Sequence, residues 1–157
     1  MFILDILNNR PVLIGLHLGF AILGIDGFLW VLGELIAGAR HRTRILFASL
    51  VGLGGFILSW VFGGYYYVVY YGSQVKPIIK EGLAPWAHAI VMETKEHIFL
   101  FIIPLALTIT FIMLLTKDEF SANNLKKSTI LLVGLLVFIG LAIGIMGYII
   151  SAAARWG

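Results

Sequence analysis

Four apolar runs, about Pro11 to Ala39, Ile45 to Tyr71, Leu83 to Thr116 and Ser128 to Ala154, leave this chain few ways to fold. Each reaches the ~20 residues that carry a helix across ~30 Å of hydrocarbon at about 1.5 Å per residue. Lipid offers the backbone no hydrogen bonds, so only helices or closed barrels persist there, and no alternating strand pattern is present. The predicted fold is all-α, an integral membrane, antiparallel four-helix bundle forming a single domain over residues 1–157. Hydrophobic residues make up 61% of the chain and charged ones 12%, against ~45–50% apolar residues in soluble domains. Four spans with short connections leave no length for a soluble catalytic domain.

The connections carry the expected start and stop chemistry: Asn8-Asn9-Arg10-Pro11 before the first span, Gly72-Ser73 after the second, and Asp118 to Asn124 as a polar turn. The opening MFILDILNNRP lacks a basic leader and a small-residue cleavage site, so the first apolar run is expected to remain as a helix. Short connections make consecutive helices antiparallel neighbours. Arg40-His41-Arg42-Thr43-Arg44 in the first loop and Lys117, Lys126 and Lys127 in the third cluster the basic residues, which places those loops inside a prokaryotic cytoplasmic membrane and both termini outside. The net charge of +3 sits in loops between spans and reports topology, not a nucleic-acid partner. The lack of cysteine removes disulfides, thiolate metal sites, iron–sulfur clusters and covalently attached c-type haem.

Titratable residues inside spans are costly enough to point to function. His17 lies 23 residues before Arg40 and His97 lies 20 before Lys117. Their depths then agree within ~5 Å. Two imidazoles facing one another from separate helices are the simplest protein arrangement for holding a haem iron at both axial positions. Space for a haem would come from small residues at the same depth: Gly52, Gly55, Ser59, Gly63 and Gly64 on the second span, and Gly140, Gly144, Gly147 and Ser151 on the fourth. The same rows also suit close helix packing with nothing between. Phe101 would pack on a porphyrin edge.

Glu93, one turn outward of His97, reads either as a partner that sets the imidazole tautomer or as a proton acceptor for quinol. Asp26, deep in the first span, reads as a neutral carboxyl or part of a proton path, and Glu34 as a partner for the arginine-rich loop. His88 stands nine residues outward of His97, at the rim and half a turn away, and is an alternative ligand. Lys95 and Glu96 read as interfacial, and so do Tyr65-Tyr66-Tyr67, Tyr70-Tyr71, Trp86 and Trp156.

On the pair His17 and His97, with glycines opposite, the chain resembles the small four-helix membrane b-type cytochromes that anchor redox complexes and exchange electrons with quinone. The resemblance implies an electron-transfer subunit of an oxidoreductase complex, holding one haem b and working with quinone and with other membrane or extracytoplasmic redox subunits. Diheme members need four histidines in the spans, and His41 in a loop and His88 at the rim do not supply the second pair. Two other readings stand beside it. One is a nonhaem iron, copper or zinc site on Glu93, Glu96 and His97, completed by His17. The other is a purely structural subunit of a larger membrane complex.

Overall fold

A computed structural model describes residues 5, 7–38 and 42–156. Arg40 and His41 of the basic first loop lie outside the described residues. Among the described residues from Arg10 onward five helices follow in order: α1 Arg10–Ala37, α2 Arg42–Glu81, α3 Ala87–Leu114, α4 Lys117–Ala122 and α5 Leu125–Ala153. There is no strand among the described residues. α1, α2, α3 and α5 are each long and apolar enough to cross a membrane, so the all-helical fold and the four long apolar segments are as expected.

Local chemistry sets the ends of α1. The Asn9 side chain accepts from the Val12 N–H and Pro11 occupies the first turn, where its missing N–H costs nothing. At the other end Gly38 adopts φ 69°, the left-handed conformation that favours glycine, and its N–H reaches back to the last helical carbonyls.

α1 packs on α2 and α5, and α3 packs on the same two helices. The α1–α2 seam is built on glycine. A Cβ on Gly27 would lie 2.6 Å from Gly52 Cα, and one on Gly55 would lie 2.6 Å from Gly24 N. Gly52 and Gly55 therefore let two backbones meet, the plain packing use of a small-residue row. Above this seam Phe28 and Phe56 stack at 5.8 Å inside a core that includes Val31, Ala106, Ile109 and Leu136.

The sequence places the end of the second helix at Tyr71, with Gly72-Ser73 as its stop. Instead α2 continues through a π-helical stretch, Tyr67–Val75, and on to Glu81. At about 1.5 Å per residue its 40 residues extend ~60 Å, about twice a hydrocarbon core. Burial overrides the breaker signal, because the extension has its own core of Tyr71, Ile79, Ala84, Ala87, Met92 and Ile150. α3 opens with a second π-helical stretch, Ala87–Met92, and tightens to 3-10 geometry over Phe99–Phe101. Pro104, lacking an N–H, cannot complete the ladder just beyond that point.

α4 carries a reciprocal cap. The Thr116 N–H donates to the Glu119 carboxylate at 2.8 Å, and the Glu119 N–H donates to Thr116 Oγ1 at 3.3 Å. These hydrogen bonds from Thr116 hold the Glu119 carboxyl below the usual carboxylate range. With the folded value depressed, the support is present above the ordinary carboxylate pKa and is lost as pH falls through the folded one. Amide protection factors at Thr116 and Glu119 should drop in that acid window, and Glu119→Gln should keep the cap while removing the pH dependence.

Candidate functional site

The His17 ring crosses from α1 to α2. Its Nδ1–H donates to the Ser59 carbonyl at 2.8 Å, with Ser59 Oγ 2.9 Å away, and the Ser59 hydroxyl donates to the His17 carbonyl at 2.9 Å. A carbonyl can only accept, so the proton resides on Nδ1 and the Nε2 lone pair of the neutral ring is left free. Gly63 makes the room, since a Cβ there would overlap the ring.

Lys95, Glu96 and His97 follow one another on α3 and so point about 100° apart. Lys95 turns toward α5 and α1: its Nζ would be 3.6 Å from a Cβ on Gly147, and it lies within Coulombic reach of His17. Glu96 turns toward α2, where the Tyr67 hydroxyl lies against its carboxylate, while its Oε1 is buried without a hydrogen-bond partner. His97 is exposed, and its Nδ1–H donates to the Glu93 carbonyl at 2.6 Å.

The Arg42 guanidinium donates to the Ile112 and Met113 carbonyls at 3.3 Å and marks a common base for α2 and α3. Counting from that base, Ser59 stands about 26 Å and His97 about 23–24 Å up their helices at 1.5 Å per residue. Level does not mean facing, however: the His17 ring bonds to Ser59 on α2, while His97 is exposed with its Nδ1 on the Glu93 carbonyl. Lys95 lies against Gly147 of α5, and His97, two residues on, points about 200° away from it. The expected haem space is also taken. The His17 ring occupies the room at Gly63, and the Lys95 ammonium lies against Gly147. Gly64 and Gly144 face open space, and Phe101 is exposed on the same outer side as His97.

The nonhaem set does not converge either. Among the described residues no three His, Cys, Asp or Glu side chains lie close enough to share a metal ion. Glu96 turns inward and His97 outward.

His88 keeps its place at the rim in depth but is not open to solvent there. It is 5% exposed, its Nδ1 pairs with the Tyr71 hydroxyl at 3.0 Å, and its Nε2 lies 3.8 Å from Glu93 Oε1. Ending the second helix at Tyr71 removes the wall that covers it, which is why the sequence places it in the open. Glu93 itself is 49% exposed along its side chain. A chain of groups thus leads from a half-exposed carboxylate through a buried imidazole to a buried phenol, and Tyr71 stacks on Tyr67 at 5.3 Å. Tyr71 and His88 both lie in π-helical stretches, which recur at functional sites.

Asp26 is exposed on α1, half a turn from His17, and joins none of these groups. Glu34 pairs with Arg44 and accepts from Trp30 Nε1 at 3.0 Å, the structural role expected of it. Sequence reasoning gave Ser59 only as a small residue, Tyr67 and Lys95 only as interfacial groups, and Glu96 as interfacial or as a nonhaem metal ligand. A single cation between apolar helices was the available signal for Lys95, but its direction depends on where α5 packs. Comparison with known protein families, curated proteins and solved structures finds no match to this chain.

Proposed function

We propose that this protein is a multi-pass membrane subunit of a quinone-linked redox complex, and that Glu93 and His97 form a quinone head-group site on the lipid-facing side of α3. In this reading the four long helices cross the membrane as an antiparallel bundle with both termini outside. The observation that carries it is the half-exposed Glu93 carboxylate backed by the buried His88–Tyr71 pair.

If the hydrocarbon begins at the Arg42 level, Glu93 stands ~30 Å above it, at the opposite head-group boundary. A quinone ring resting at that boundary meets a carboxylate, and one turn deeper it meets the His97 Nε2 lone pair, left free because Nδ1 donates to the Glu93 carbonyl. The exposed Phe101 ring offers apolar contact below. Oxidation of a quinol releases two protons and two electrons. Glu93 and His97 are placed to accept the protons, His88 relays from Glu93, and the electrons pass to a neighbouring membrane or extracytoplasmic redox subunit.

Titration of the purified protein in lipid nanodiscs with a short-chain ubiquinone tests this. Glu93→Gln and His97→Ala should each weaken binding about tenfold, the loss of one charge-assisted or buried hydrogen bond, while Asp26→Asn leaves it unchanged. Unaltered binding in both variants would overturn the site. A Soret band lost in both His17→Ala and His97→Ala would instead restore a shared haem.

A further inference from the structure

We infer that the outer face of α1, centred on Asp26, docks a membrane helix of a partner subunit that carries a lysine or arginine at the same depth; the inference rests on the reading that α1 crosses the membrane. At about 100° per residue Gly15, Gly19, Asp26, Trp30, Gly33 and Ala37 fall within ~60° of one another, and all six are exposed. Gly24, Gly27 and Phe28, which pack α1 into the bundle, lie on the opposite side. Nothing stands within 4 Å of a Cβ added at Gly15, Gly19 or Gly33, so the Gly15–Gly19 and Gly33–Ala37 pairs form notches with no helix of this chain in them. A groove of about 300 Å³ runs past Gly33 and Ala37, with Trp30 as one wall, held by its hydrogen bond to Glu34 at 3.0 Å.

Small residues alone would fit any close-packed neighbour; Asp26 selects among them. It lies ~17 Å from the Ala37 end of α1, near the middle of a ~30 Å hydrocarbon core. Lipid offers a carboxylate there neither a hydrogen bond nor a counter-charge, and ionisable groups in spans face a bundle interior or pair. Asp26 does neither within this chain, since the two ion pairs among the described residues are Arg44–Glu34 and His88–Glu93. A second copy does not supply the counter-charge. Apart from Lys95, which lies against Gly147 of α5, the described lysines and arginines are at helix ends or in the outward extension of α2. A symmetric pair would also set two Asp26 carboxylates at one depth, where like charges repel. A cation on a different helix satisfies the carboxylate, and the flanking glycines let the two backbones come close enough for a direct bond. α1 and α3 pack on the same two helices and so occupy opposite corners of the bundle, which leaves the lipid-facing side of α3 open for quinone while the partner sits on α1.

Energy transfer from the protein's tryptophans to a dye on a synthetic helix tests this in phosphatidylcholine vesicles, whose zwitterionic surface does not compete for the cation. The helix is ~20 residues of leucine and alanine with one central lysine, or with leucine in that place. The lysine helix should bind the whole protein about tenfold more tightly than the leucine helix. Asp26→Leu should erase that preference and Asp26→Glu should keep it. Gly19→Ile and Gly33→Ile should each weaken binding of the lysine helix severalfold, with helix content by circular dichroism unchanged. Equal binding of the two helices, or a preference that survives Asp26→Leu, would overturn the inference, and so would an Asp26-dependent pairing of copies of this chain that shuts the lysine helix out. Should a glycine variant misfold, the two helices compared on the unmodified protein still decide. Glu93→Gln should bind the lysine helix normally and Asp26→Leu should bind quinone normally, so failure of the quinone site and failure of the docking face are told apart; a protein that does not float with the vesicles would overturn the membrane reading beneath both.

Discussion

Gly27→Val should destabilise the folded protein by about 3 kcal/mol or more, the upper range for overpacking, because the obstacle is backbone. A Cβ on Gly27 would meet Gly52 Cα and N at 2.6 Å and the Ala48 carbonyl oxygen at 2.9 Å, none of which can rotate aside. α1 and α2 would have to separate, opening the layer where Phe28 stacks on Phe56. Gly33→Val on the same helix is the control: nothing lies within 4 Å of that position, so only the helix-propensity change remains. Equilibrium unfolding in mixed micelles with increasing denaturing detergent measures both. Equal loss in the two variants would show that the close seam is not what holds α1 to α2.

Gly63→Leu should have the next largest effect, about 2–4 kcal/mol, and for a different reason. The incoming side chain claims the volume of the His17 ring, which must swing away from Ser59 and give up the 2.8 Å bond from Nδ1. A polar ring then stays among apolar side chains without its acceptor, while the Ser59 hydroxyl keeps only what the moved backbone leaves it. Nitrogen NMR of the imidazole should show loss of the single Nδ1–H tautomer together with the drop in stability. Gly64→Leu, whose position faces open space, should preserve both.

Four long helices were legible from the apolar runs, since lengths near 30 residues and few charges leave little choice. The Gly52–Gly55 row was legible as a packing element too, though not against which partner. Depth could be counted, because helical rise is constant, and that is why His17 and His97 come out at similar levels. Direction could not. Residues two apart on one helix face opposite ways, and only the placement of α5 and α2 decides that Lys95 turns in and His97 turns out. The boundary at Gly72-Ser73 misled for a related reason: these two residues are exposed, but the helix runs on past them because Tyr71 and Ile79 on its other face are buried in a second core. That single misplaced end also hid the cover over His88.

The two apolar cores are parted by a belt of polar groups. Along α2, Phe56 belongs to one core and Tyr71 to the other, with Ser59, Gly63 and Tyr67 between them. Along α3 the same interval holds Lys95 and Glu96. A layer that is poor in apolar contact transmits cooperativity weakly, so the outer cap can open while the inner helices remain intact. Native-state hydrogen exchange should therefore resolve two subglobal unfolding units, with amides from about Tyr71 to Met92 released at a lower free energy than those around Phe28 and Ile109. The molecule would then carry Ser59, Lys95 and Glu96 on the boundary between a half that opens readily and one that does not.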